Sequence, residues 1–283
     1  MKAIIITFFC LASLCSIGQQ DTAQLKLKTF AQGIVGEESS PFEKARILLH
    51  WLSANFEWTA TDYQSRTAKE IIVLKGGNCF ELAKVYMALA GELSLPLRPV
   101  AEINLHVPKS SREETATRKI AERGNRMSVF GYQHNDHRWI EVYDEKMGEW
   151  IPVDPTMNLF GYEQWLKGRA WFGDRHTQNK EISQDMIAPF AIFVVDKQNN
   201  SLMVESRAEV YMVKKLDSLY GGRLSGLPSW QTWVEQLQQI TPHAQAAFGG
   251  KENLHAYAGQ IDALRKTYDK LKKEYALKFE ESK

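Results

Sequence analysis

Three side chains in this sequence can together support nucleophilic chemistry: Cys79 in GGNCFE, His137 in HRWIEVY and Asp154 in VDPT. A thiol attacks as its thiolate, which is favoured at a helix N-terminus, beside an imidazole and where solvent still has access. Cys79 follows Gly76, Gly77 and Asn78, so the pattern predicts a helix opening on the cysteine, with Asn78 as N-cap and Glu81 as first-turn partner. The positive end of that helix favours a thiolate. No histidine lies on the same helix face, so a base must come from elsewhere in the chain. Strand alternation from His137 puts His137, Trp139 and Glu141 on one face. A turn near Met147 and Gly148 then brings Asp154 back to the height of His137. A carboxylate there can hold the imidazole in one tautomer and stabilise its cation.

Several elements must position these groups. Leu25, Leu27, Phe30, Ile34 and Val35 form a loose amphipathic stripe that stops near Gly36. Ser40, Pro41 and Glu43 predict a capping box opening a second helix, whose buried stripe is Phe42, Ala45, Leu48, Leu49, Leu52 and Phe56. Thr67 to Leu74 reads as a short third helix. Leu82, Val85, Tyr86, Leu89 and Leu93 make Cys79 to about Leu93 a core helix, with Pro96 beyond its end. From Leu97 the pattern turns to strands: LRPVAEINL, RMSVFGY, HRWIEVY and EWIPVD, with a polar excursion over 108–125. FAIFVVD and SLMVES predict a hairpin closed by Lys197 to Asn200. Ser229 to Ile240 reads as a short capped helix. Leu254, Tyr257, Ile261, Leu264, Tyr268, Leu271 and Tyr275 then keep a three-four alternation over about three heptads. This stripe either folds back on its own domain or joins two copies as a homodimer through residues 254–275.

Composition sets the frame. The chain has 283 residues, 44% of them hydrophobic, enough for an ordinary buried core, and its 35 Lys plus Arg against 34 Asp plus Glu leave no overall field for nucleic acid. The opening MKAIIITFFCLASLCSIGQQ has Lys2, then an apolar run, then small residues Ser16 and Gly18 before Gln19. Residues 1–18 therefore read as a secretory signal peptide, and the run is shorter than the roughly 20 residues of a spanning helix. The expected setting is export, periplasmic or extracellular, without stable membrane insertion. Removing the leader removes Cys10 and Cys15, leaving Cys79 as the one thiol, so no internal disulfide is expected.

GGNCFELAKVYMALAGELSLPLRPV followed by HRWIEVYDEKMGEWIPVDPT closely resembles the transglutaminase-like domain family, over about Ala45 to Thr156. The resemblance implies an α+β, papain-like core: a helix carrying Cys79 packed on an antiparallel sheet carrying His137 and Asp154. It also implies acyl transfer, with Cys79 as nucleophile, His137 as base and acid, Asp154 as orienter, and the Cys79 N–H as oxyanion donor. Trp58, Gly77, Asn78 and Trp139 are the expected substrate-binding residues. The expected outcome is hydrolysis of an amide or peptide bond in a protein, a peptide or a cell-wall peptide, with no cofactor. The expected organisation is a catalytic domain over 19–185 and a β-hairpin plus helical extension over 186–283.

Each feature has a plainer reading. A lone cysteine is ordinarily a small buried hydrophobe, and it is the joint motif that argues otherwise. His134, Asp136 and His137 could suggest a metal, but the spacing is loose and the thiol distant, so no metal site is expected. Trp165 and Trp171 fit core packing better than a ligand groove, and His176 lacks a strand context. The competing function is an inactive transglutaminase-like module for binding or assembly in the cell envelope, since a fold does not fix a function.

Overall fold

The structure, a computed structural model, describes residues 26–60, 62, 64–105, 118, 129–130, 133–134, 137–170, 172, 188–198, 201–249 and 251–280. The leader, the 108–125 excursion apart from Arg118, and Asp136, Trp171 and His176 lie outside the described residues.

Four helices precede the main sheet. Helix α1 (Leu27–Val35) ends at Gly36, whose φ of 59° is open to glycine without strain. Helix α2 (Pro41–Asn55) starts with Pro41 at its first position. Only half of the expected box forms. Ser40 Oγ accepts the Glu43 N–H at 3.4 Å. The Glu43 carboxylate turns instead to Arg46, and the Ser40 N–H donates to Glu38 at 2.7 Å. Ala45, Leu48, Leu49 and Leu52 are buried as the stripe predicts, while Phe42 and Phe56 stay half-buried at its margins. Helix α3 (Ala68–Leu74) carries a complete box between Thr67 and Glu70. Helix α4 (Cys79–Glu92) buries Leu82, Val85, Tyr86 and Leu89, and the Tyr86 hydroxyl donates to Ala45 O at 2.9 Å, tying α4 to α2.

Among the described residues the strands are β1 (Glu57–Trp58), β2 (Gly76–Gly77), β3 (Leu97–Asn104), β4 (Val129–Phe130), β5 (Gln133–His134), β6 (His137–Asp144), β7 (Glu149–Asp154), β8 (Leu159–Phe160), β9 (Pro189–Gln198) and β10 (Ser201–Ser206). Six form one antiparallel sheet in the order β10-β9-β3-β6-β7-β8. Its two faces follow the alternation of β6. Ile140 and Val142 join Val153 and helices α1 to α4 in one core, and Trp139 joins the second core with the C-terminal helices.

The C-terminal segment is more closely integrated than its sequence indicates. The hairpin β9–β10 has Gln198 opposite Ser201, and β9 pairs along β3. The hairpin read as part of an extension therefore extends the sheet that carries His137. Helix α5 (Gly161–Arg169), a π-helical turn (Val210–Lys215) leading into α6 (Leu216–Leu219), α7 (Trp230–Phe248) and α8 (Ala258–Phe279) cover that face. Helix α7 runs past the expected end at Ile240, through Pro242, because Ala244, Ala247 and Phe248 continue its buried stripe. Ser229 is not its side-chain cap; Ser229 Oγ donates to Glu274 on α8 at 2.8 Å. The stripe read as one helix begins in a 3-10 turn (Leu254–Tyr257), and Leu254, Ile261, Leu264, Tyr268, Leu271 and Tyr275 are all buried within the same chain. The seam that could have served a second copy is thus filled internally, with Trp233 packed on Tyr268 at 5.1 Å between ring centroids.

Candidate active site

The site lies where the start of α4 meets the start of β6. Asn78 caps α4: its Oδ1 accepts the Glu81 N–H at 3.1 Å, and the Glu81 carboxylate accepts the Asn78 N–H at 3.1 Å and the Asn78 amide at 2.9 Å. Arg66 anchors Glu81 at 2.8 Å. Gly77 precedes the cap with no room to spare, because a Cβ there would lie 2.7 Å from Glu81 Cβ. The parallel pair β1–β2 sets Trp58 opposite Gly77, two residues before the cysteine. The lead-in GGN thus serves to hold Cys79 at the first helical position, with its side chain partly exposed.

His137 and Asp154 are fully buried, and Nε2 of the imidazole meets Oδ2 of the carboxylate at 2.7 Å. The register explains the meeting: Ile140 faces Val153, so one step further sets Asp154 opposite Trp139, on the face it shares with His137. The other oxygen of Asp154 accepts the N–H groups of Thr156 at 3.0 Å and Met157 at 3.4 Å, a local turn that fixes the carboxylate. The opposite ring nitrogen, Nδ1, is buried and has no hydrogen-bond partner.

The electrostatics favour an ion pair. Burial opposes the Cys79 thiolate and is the largest single influence, but the neighbouring His137 imidazole and the backbone N–H of Arg138 outweigh it, holding the thiol below its ordinary value of 9.0. Burial also works against a charged imidazole. The charge and hydrogen bond of Asp154, aided by Cys79, overcome it and raise His137 from 6.5 to about 10. By linkage, His137 contributes stability fully present below 6.5 and lost as pH rises through about 10. The thiolate contributes stability present above 9.0 and lost as pH falls through its depressed folded value.

The expected substrate-contact residues fare differently. Trp139 is fully buried between His137 at 5.9 Å and Trp165 at 5.0 Å, so it is a core residue and does not face a substrate. The Asn78 side chain is committed to the cap. Gly77 is buried and serves close packing against Glu81. Trp58 is half-buried, and its Nε1 has no hydrogen-bond partner. Replacing Asn78 with alanine should therefore cost about 1 to 2 kcal/mol, read as a lower urea midpoint at unchanged slope.

Sequence reasoning missed the Arg138 N–H, whose approach to Cys79 follows from three-dimensional placement rather than residue type. It also missed the buried Glu102–Arg169 pair, whose members lie 67 positions apart. Among the described residues no group of three metal-ligating side chains comes together, and no helix is long and apolar enough to cross a membrane.

Residues 28–155 match the profile of the transglutaminase-like superfamily. An uncharacterized protein of Haemophilus influenzae is 26% identical over 133 residues, covering 45% of this chain and 35% of its own length. The chain thus spans about a third of the curated relative it matches. Among solved structures, a candidate cysteine protease from Cytophaga hutchinsonii is 22% identical with a TM-score of 0.33, over 46% of this chain and 36% of its own. A candidate protease from Parabacteroides distasonis is 14% identical with a TM-score of 0.34, over 45% of this chain and 22% of its own. At these scores the two structures carry no argument for activity.

Proposed function

From the premise that residues 28–155 form a transglutaminase-like core, we propose that this protein hydrolyses an amide or peptide bond through a Cys79 thioester, as a cysteine peptidase or amidase. One observation carries the reading: Asp154 holds the buried His137 imidazole at 2.7 Å, and Cys79 stands at the first position of α4. The thiolate attacks the carbonyl carbon, the leaving amine takes a proton from His137, and the amine departs as the thioester forms. Water then gives a proton back to His137 and attacks the thioester, breaking the carbon–sulfur bond to release the acid and restore the thiolate beside the protonated imidazole. The Cys79 N–H, at the helix start, is the proposed oxyanion donor, with Trp58 as a wall of the entrance. The leader-like residues 1–18 support an exported, periplasmic or extracellular setting, with protein or cell-wall peptides as the substrate class.

In the alternative of an inactive binding module the 254–275 stripe would serve assembly, but Ile261, Leu264, Tyr268, Leu271 and Tyr275 are buried within the same chain. Alkylation separates the two readings. Iodoacetamide should label Cys79 in the folded protein with a rate profile displaced to lower pH than that of an ordinary thiol, whose value is 9.0. Labelling that follows an ordinary thiol titration, or needs prior unfolding, would sink the nucleophile. A panel of peptides and cell-wall fragments, followed by mass spectrometry, then identifies the bond cut.

A further inference from the structure

One buried ion pair takes no part in the mechanism above. Glu102 on β3 and Arg169, the last residue of α5, are both fully buried and joined through Oε1 and Nη2. Removing both charges from water costs more than pairing readily returns, and an apolar pair of similar volume often serves a core as well or better. A staple built for stability alone would also use all its polar atoms, yet Glu102 Oε2 and Arg169 Nε have no hydrogen-bond partner.

Their neighbours indicate another role. Glu102 lies directly opposite His137 in the β3–β6 register. Arg169 Nη1 reaches Met157 Sδ at 3.8 Å, and the Met157 N–H donates to Asp154 Oδ1 at 3.4 Å. One guanidinium fork therefore ties the strand neighbour of His137 to the turn that fixes Asp154. Lysine, a single point charge, lacks this fork geometry.

We propose that Glu102 and Arg169 are positioning residues that hold His137 and Asp154 in line with Cys79. This rests on the nucleophile reading. The groups among the described residues whose charge is felt between them and Cys79 are His137, Asp154, Arg138 and Arg169, from β6, β7 and α5. The pair touches no substrate; it acts through the alignment of the dyad.

The test needs no substrate. The pH profile of Cys79 alkylation is measured for the unaltered full chain, for Arg169→Lys, and for the double variant Glu102→Leu with Arg169→Met, which replaces the pair with apolar side chains. The double variant is expected to keep a cooperative melt, to label at least about tenfold more slowly at neutral pH, and to shift its profile toward that of an ordinary thiol. Arg169→Lys should label at an intermediate rate, since it keeps the charge and loses the fork. A folded double variant with an unchanged profile overturns the positioning role and leaves the nucleophile intact. An unaltered protein whose thiol behaves as an ordinary one overturns both. Should the double variant fail to fold, Met157→Leu takes its place, because it removes the sulfur bridge at nearly constant volume; a slower, shifted profile supports the proposal and an unchanged one overturns it.

Discussion

Replacing Cys79 with alanine should abolish turnover, lowering the hydrolysis rate by at least about 10⁴-fold, with little effect on folding. The side chain is small and partly exposed, and α4 takes its start from Asn78 and Glu81 rather than from the sulfur. Cys79→Ser is expected to be nearly as inactive, since a hydroxyl in the same place has no comparable anion to offer beside the imidazole. The measurement is turnover on whichever panel member the unaltered protein cleaves, together with a thiol-directed probe. Retained cleavage in Cys79→Ala would place the chemistry elsewhere.

The second large effect belongs to Asp154→Asn. An amide can keep its oxygen on the Thr156 and Met157 N–H groups, so the turn should survive. It cannot supply the charge that raises His137 to about 10. Burial then acts on the imidazole with less opposition, and the ring nitrogen it faces meets an amide. Turnover should fall by about 10³ to 10⁴-fold, and the alkylation profile of Cys79 should move toward higher pH. Melting measured across pH is a further check. The unaltered protein should lose stability as pH rises through about 10, and the variant should lose less. Turnover within about threefold of the unaltered protein would remove the carboxylate from the mechanism.

The site was legible where local chemistry and periodicity acted together. Asn78 and Glu81 form the cap that GGNCFE implies, and the strand alternation of HRWIEVY sets His137 and Asp154 on one face. Trp139 could not be assigned from its place in the motif, because the face it shares with His137 becomes interior only when the C-terminal helices cover it. The same covering hides the apolar stripe of α8. A heptad pattern records that a face must be buried and is silent on whether the partner is another copy or the same chain. Ser40 and Glu43 met the spacing of a capping box, yet nearby Glu38 and Arg46 offered competing partners that a motif does not weigh. The Glu102–Arg169 pair joins residues with no local relation, and only the sheet register brings it beside His137.

The hairpin β9–β10 also bears on how small a working fragment can be. Strand β3 runs for eight residues between β6 and β9. A fragment ending at residue 185 would keep Cys79, His137 and Asp154 but strip β9 away, leaving one side of β3 with unpaired backbone N–H and C=O groups. Bare edges of that kind recruit strands from neighbouring molecules. The boundary that looks natural in the sequence would therefore leave β3 as a bare edge, and the hairpin from the last third of the chain is what covers it.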